Sequence, residues 1–204
     1  MIGGIDRFLP PGGGGEGLFA TLAKNSTAVT PSLYAVAYSL EHNDPARPRD
    51  RNYRYVARSQ RVPIKAVPPD ELALFRAMLP RLQATTLHLQ KAGVTLLAGT
   101  DVAADRVPGF SLHGELDLLA GAGLTPLQVV QTATLTPAKV MGKTADYGTI
   151  EPGKLADLVL LDADPIGSVV ALHRIDAVVM HGRAMQRPDL DAQLRAAAGL
   201  AEAK

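Results

Sequence analysis

Residues 93–101, Gly93-Val94-Thr95-Leu96-Leu97-Ala98-Gly99-Thr100-Asp101, constrain the fold of this chain more than any other segment. The run from Val94 to Ala98 is mostly apolar and does not alternate, as a strand covered on both faces of a parallel sheet requires. A strand with one wet face would carry a polar residue at every second position. Upstream, Leu72, Phe75, Met78, Leu79, Leu82, Leu87 and Leu89 fall into an approximate helical stripe over residues 70–92, which Pro80 is expected to kink or break. Gly93 suits the left-handed position that closes a helix. Helix, glycine and buried strand together specify an α/β unit.

The flanking segments add to that unit. Residues 27–34 read as a short buried strand ended by Pro31, because proline cannot donate to a ladder. Thr125-Pro126-Leu127-Gln128 combines an N-cap, a first-position proline and a capping-box glutamine, and Thr136-Pro137 predicts a second helix start that Gly142 ends. After residue 147 the pattern changes. Ile150-Glu151-Pro152-Gly153 reads as a type II turn, 158–161 as a strand, and 177–183 as a strand with a tight turn. These form a small β layer, and 190–204 is an alanine-rich helical tail. Residues 10–17 are a glycine-rich flexible loop, since no Lys-Ser/Thr follows to make a phosphate cradle. Residues 43–69, rich in Pro, Arg and Asp, are expected to be a long irregular insertion.

Charge excludes several partners. Lys and Arg (21) balance Asp and Glu (20), and the local excess at Arg47, Arg49, Arg51, Arg54 and Arg58 is interrupted by acids and prolines, as in a solvated loop. Neither nucleic acid nor an anionic membrane is expected as a partner. No secretory signal or membrane-spanning run is visible, so the compartment is unassigned. With no cysteine, disulfides and thiolate chemistry are excluded.

Asp101 is the leading candidate for chemistry. It follows the buried strand, and the carboxyl ends of parallel strands are where catalytic groups project in α/β folds. A carboxylate there can ligate a divalent cation and accept a proton from water; the plainer role is a cap on the next turn. His113, at the start of an amphipathic helix, is a candidate substrate contact or else a structural histidine. His42, His88, His173 and His181 have no metal-ligand partner at i+2 to i+4 and are read as structural. Asp157 is expected to be a buried strand-edge acid bonded to backbone.

The motifs Gly99-Thr100-Asp101, Leu112-His113-Gly114-Glu115-Leu116, Ala122-Gly123-Leu124-Thr125-Pro126, Ala133-Thr134-Leu135-Thr136-Pro137-Ala138 and Gly148-Thr149-Ile150-Glu151-Pro152-Gly153-Lys154-Leu155-Ala156-Asp157 occur in this order. Together they resemble the C-terminal part of amidohydrolase-superfamily enzymes, nearest the imidazolonepropionase and Xaa-Pro dipeptidase-like branch. The resemblance implies an α/β fold: the last strands of a TIM-like (α/β)₈ barrel over residues 1–147, strands of a composite β-sandwich over 148–186, and the helical tail over 187–204. It also implies hydrolysis of a carbon–nitrogen bond in a small amide or dipeptide-like substrate, with a divalent metal, zinc, held in part by Asp101. Residues 30–33 resemble the seventh barrel strand and residues 4–8, more loosely, the sixth.

The departures from that pattern are specific. Where the sixth strand of the family ends in a metal-binding histidine, this sequence has Arg7-Phe8-Leu9-Pro10, and the His-x-His of the first strand is absent. About 250 residues make such a barrel. The sequence therefore leads to two expectations: a C-terminal portion of a hydrolase that needs an N-terminal half, or a non-catalytic remnant or interaction module of the same fold. In both, an open sheet edge is expected to drive self-association.

Overall fold

The computed structural model describes residues 15–43, 51–61, 68–101 and 107–203. The sequence expectations for residues 4–8, Pro10, Arg47 and Arg49 lie outside them. Among the described residues no helix is long and apolar enough to cross a membrane.

The first part is α/β, with helices packed around a two-stranded parallel sheet. Helix α1 (Glu16–Lys24) leads to β1 (Ala28–Val29), α2 (Leu33–Asn43), α3 (Pro69–Lys91) and β2 (Thr95–Leu96). Ala28 pairs with Thr95 and Val29 with Leu96. The ladder continues where Leu97 donates its N–H to the Val29 carbonyl at 3.0 Å. Ala98 donates instead to the carbonyl of Thr132 at 3.0 Å, so a helix carbonyl satisfies the opposite edge of β2. That substitution is why β2 is shorter than the five-residue strand expected. Helices α4 (Phe110–Gly121), α5 (Pro126–Ala133) and α6 (Leu135–Val140) complete this part.

Leu33, Leu82, Leu89, Val94, Leu96, Leu116, Leu119 and Val129 form one buried cluster that joins α2, α3, β2, α4 and α5. Each such side chain contributes about 1.5–3 kcal/mol by leaving water. This packing holds α3 unbroken through Pro80, which corrects the expected break. Gly93 closes α3 with φ +80°, and Thr125 and Gln128 form both bonds of a capping box, at 3.3 and 2.9 Å.

Three other expectations are corrected. The strand near Pro31 ends at Val29, and Leu33 begins a helix. Helix α6 starts at Leu135, with Thr136 inside its first turn; the Thr134 hydroxyl donates to the Val130 carbonyl at 2.8 Å instead of capping. Pro137 is tolerated there because the first N–H groups of a helix have no intrahelical acceptor. The expected irregular insertion holds regular turns among its described residues: 3₁₀ helix at Arg51–Tyr55 and Arg58–Gln60 brings Tyr53 and Val56 into buried positions. Arg54 lies 5.0 Å from the Tyr55 ring centre, and the neighbouring Arg61 pairs with Glu202 of the C-terminal helix.

The second part is a three-stranded antiparallel sheet, β3 (Leu158–Leu161), β4 (Ile175–Met180) and β5 (Arg183–Gln186), in that order, followed by α7 (Arg187–Ala203). His181 and Gly182 both have positive φ, +51° and +75°, as a two-residue hairpin turn between β4 and β5 demands. Asp157 accepts the His181 N–H at 2.7 Å. The backbone bond expected of Asp157 is present, but the residue is exposed, because the turn it braces is itself at the surface.

Candidate functional site

Asp101 stands five residues beyond the end of β2, exposed, with φ +49°. Ser32, three residues beyond β1, has φ +53°. Left-handed backbone at a non-glycine residue costs on the order of 1–3 kcal/mol and persists only where its surroundings impose it. Both strand exits carry this strain. They also interlock: a Cβ on Gly99 would lie 2.5 Å from the Thr30 methyl, so only glycine admits the two segments this close together.

Helix α4 reaches back to both exits. The hydroxyls of Ser111 and Thr100 are 3.5 Å apart, beside Asp101. Glu115, wholly buried, accepts the Tyr34 N–H on Oε2 at 2.7 Å, and the amides of Ser32 and Leu33, next to Tyr34 in the same turn, also favour its charged form. Burial pushes the Glu115 carboxyl up to about 7 against the opposing pull of those three amides. Gly114 makes room for the partner, since a Cβ there would lie 2.4 Å from the Tyr34 ring.

His113 faces elsewhere. Ser111 and Glu115 share one face of α4 by their four-residue spacing, and His113 and Asp117 share another. The His113 ring lies 4.9 Å from that of His173, in the 3₁₀ turn Val169–His173 that joins β3 to β4. Nε2 of His173 meets both carboxylate oxygens of Asp117, at 3.0 and 2.9 Å. Burial lowers the His113 pKa, the charge of His173 lowers it further, and Asp117 partly offsets them. Burial thus favours the neutral form of His113.

The structure thus places Asp101 with Thr100, Ser111 and the turn after β1, and places His113 against the connection within the small sheet. Sequence reasoning singled out neither Glu115 nor Asp117, and read His173 as structural without its partners. The four-residue spacing of His113 and Asp117 was a signal for one pair; Glu115 was marked by its place on the helix's buried stripe between Ser111 and Leu119. A cleft of about 420 Å³, lined by Val94, Thr95, Gln128, Gln131 and Lys139 among others, opens at the start of β2, the end of the strand away from Asp101.

Comparison with known proteins gives this arrangement a lineage. An imidazolonepropionase of Shouchella clausii (strain KSM-K16) is 35% identical over 96 residues, spanning 42% of this chain and 22% of that protein. A dihydroorotase of Pelotomaculum thermopropionicum (strain DSM 13744 / JCM 10971 / SI) is 48% identical over 48 residues, 24% of this chain and 11% of that protein. Among solved structures, a bottromycin amidohydrolase superposes with TM-score 0.68 at 25% identity, covering 85% of this chain and 40% of that one. A Xaa-Pro dipeptidase superposes with TM-score 0.63 at 22% identity, covering 82% and 36%, and shares the fold. The chain spans about a fifth of the first curated relative and about two fifths of these structures. The model of the amidohydrolase family matches residues 76–185, more than half of the sequence, and the chain belongs to that family.

Proposed function

We propose that this chain supplies the Asp101 carboxylate, and the strand exits that hold it, to the active site of a hydrolase that cleaves carbon–nitrogen bonds in small amide or dipeptide-like substrates. The observation that carries the reading is the strained Asp101 beyond a buried parallel strand in a chain of the amidohydrolase family. A carboxylate at that place can accept a proton from water attacking an amide carbon. In this reading residues 1–147 are the last part of an (α/β)₈ barrel, 148–186 are strands of a composite β-sandwich, and 187–204 are a helical tail. The substrate contact expected of His113 gives way to a docking role, because its face of α4 is turned to residues 169–173.

A divalent metal such as zinc needs about four ligands. Among the described residues no group of three or more His, Asp or Glu side chains is placed to hold a metal ion. Asp101 offers one ligand, so the described residues do not by themselves fit a resident metal. In this reading the remaining ligands would be supplied by a segment carrying the His-x-His of the family's first barrel strand.

The test is elemental analysis of the chain alone and after mixing with such an N-terminal barrel segment, together with an amide-hydrolysis assay. Metal and turnover appearing only in the mixture, and lost with Asp101→Asn, support the proposal. A mixture that stays metal-free and inactive overturns it in favour of a second reading, a non-catalytic interaction module of the same fold. The lack of a group of three or more metal-capable side chains among the described residues is the observation that favours this alternative.

A further inference from the structure

We infer that Glu115 is a positioning residue: its carboxylate, bonded to the Tyr34 amide at the start of α2, sets where the turn after β1 stands beside Gly99-Thr100-Asp101. The inference rests on the reading of Asp101 as the site's carboxylate.

Four contacts carry it. Oε2 of Glu115 accepts the Tyr34 N–H at 2.7 Å, at the start of α2. Consecutive N–H groups at a helix start form a concave, partly positive seat for an anion, and here an internal side chain fills it. Next to Glu115, Gly114 lies so close to the Tyr34 ring that the same turn of α4 grips both backbone and ring of one residue. The segment so held begins at Thr30, whose methyl lies against Gly99. A shift of the turn therefore presses on the backbone two residues before Asp101, while Ser111, one helical turn before Glu115, approaches Thr100 from the other side.

A carboxylate with no exposure is costly unless it is hydrogen-bonded. Among the described residues Oε1 of Glu115 is buried with no hydrogen-bond partner. The carboxylate is therefore anchored through Oε2, on the Tyr34 amide. Protonation weakens the acceptor, loosens the turn and changes the surroundings of Asp101. Burial brings that protonation into the neutral range, to about 7. The other titratable groups nearby are His113 and Asp117 on the second face of α4, His173 from the turn at 169–173, and Tyr34 from α2. From α3, Gln83 donates to the Leu118 carbonyl and carries no charge.

The test is amide NMR of this chain titrated through neutral pH. The amides of Ser32, Leu33 and Tyr34 should shift with one midpoint near 7, and those of Thr100 and Asp101 should follow with the same midpoint. Glu115→Gln keeps an acceptor oxygen and cannot titrate, so all five signals should then hold still. If residues 32–34 titrate while Thr100 and Asp101 do not, Glu115 is a helix cap only and the inference is overturned. A titration that survives in Glu115→Gln overturns it too. Should that variant fail to fold, His113→Asn decides: the shared midpoint persists if Glu115 is its source and vanishes if the imidazole is. None of these readouts uses metal or turnover, so failure of the hydrolase reading and failure of this one are separable.

Discussion

The backbone N–H of Tyr34 donates to Oε2 of Glu115 at 2.7 Å across 81 residues of chain, and so ties the exit of one strand to the helix that follows the other. The carboxyl is buried and its pKa stands raised from 4.5 to about 7, which makes stability depend on pH. Below about 4.5 it is protonated folded and unfolded. Between there and about 7 only the folded chain keeps the proton, so stability falls as pH rises through this window.

Glu115→Gln should remove that fall, which is on the order of 3 kcal/mol as an upper figure. Urea unfolding at about pH 5 and about pH 8 measures it. Equal pH dependence in the parent chain and the variant would remove Glu115 as the cause.

His113 gives the opposite slope. Its folded-state pKa is held below the usual 6.5, first by burial and then by His173. Its contribution is complete above about 6.5 and is lost as pH falls through the lowered value. His113→Asn should flatten the acid limb of the stability curve. His173→Ala, which loses the Asp117 bond and the ring contact, should speed amide exchange over Val169–His173 at a cost of about 1 kcal/mol. Exchange rates unchanged at 169–173 would show that the ring contact does not dock this turn.

Gly99 and Thr30 form a steric pair. Gly99→Ala places a Cβ 2.5 Å from the Thr30 methyl, and such overpacking costs about 1–3 kcal/mol. Thr30→Ser deletes that methyl while keeping the hydroxyl. The double variant should regain much of the lost stability, with a coupling energy above about 0.5 kcal/mol in a double-mutant cycle. Strict additivity would mean that the two exits are not in contact.

Local devices were legible in the sequence because their partners are close along the chain. Gly93 after α3 and the Thr125–Gln128 box each span at most a few residues, and both are formed. The length of β2 was not legible, because its ladder is set by Val29 on one side and by the Thr132 carbonyl on the other. Asp101 could be singled out by its place after a buried run, but its left-handed backbone depends on what surrounds the strand exit. Glu115 reads locally as a helix acid, and only the fold delivers the Tyr34 amide to it from 81 residues away. The same holds for His113 and His173, whose contact depends on how the small sheet docks on α4.

Self-association is the remaining expectation, and β3 is where it should begin. Among the described residues β3 pairs only with β4, so its outer N–H and C=O groups face outward. Val159 and Leu160 on it are 58% and 57% exposed, and Met180 at the end of β4 is 52% exposed. An apolar strand with an unpaired edge is a template for another strand, whether from an N-terminal segment or from a second copy. We predict that the isolated chain sediments as oligomers whose population rises with concentration, and that Val159→Lys shifts it toward monomer, because a charged side chain at an edge opposes pairing. Val159→Lys should leave the fold intact, since the side chain it replaces is mostly in water. A parent chain that sediments as a concentration-independent monomer would show that this edge is already protected. Oligomers that ignore Val159→Lys would move the contact elsewhere, with the two-stranded parallel sheet as the next surface to test.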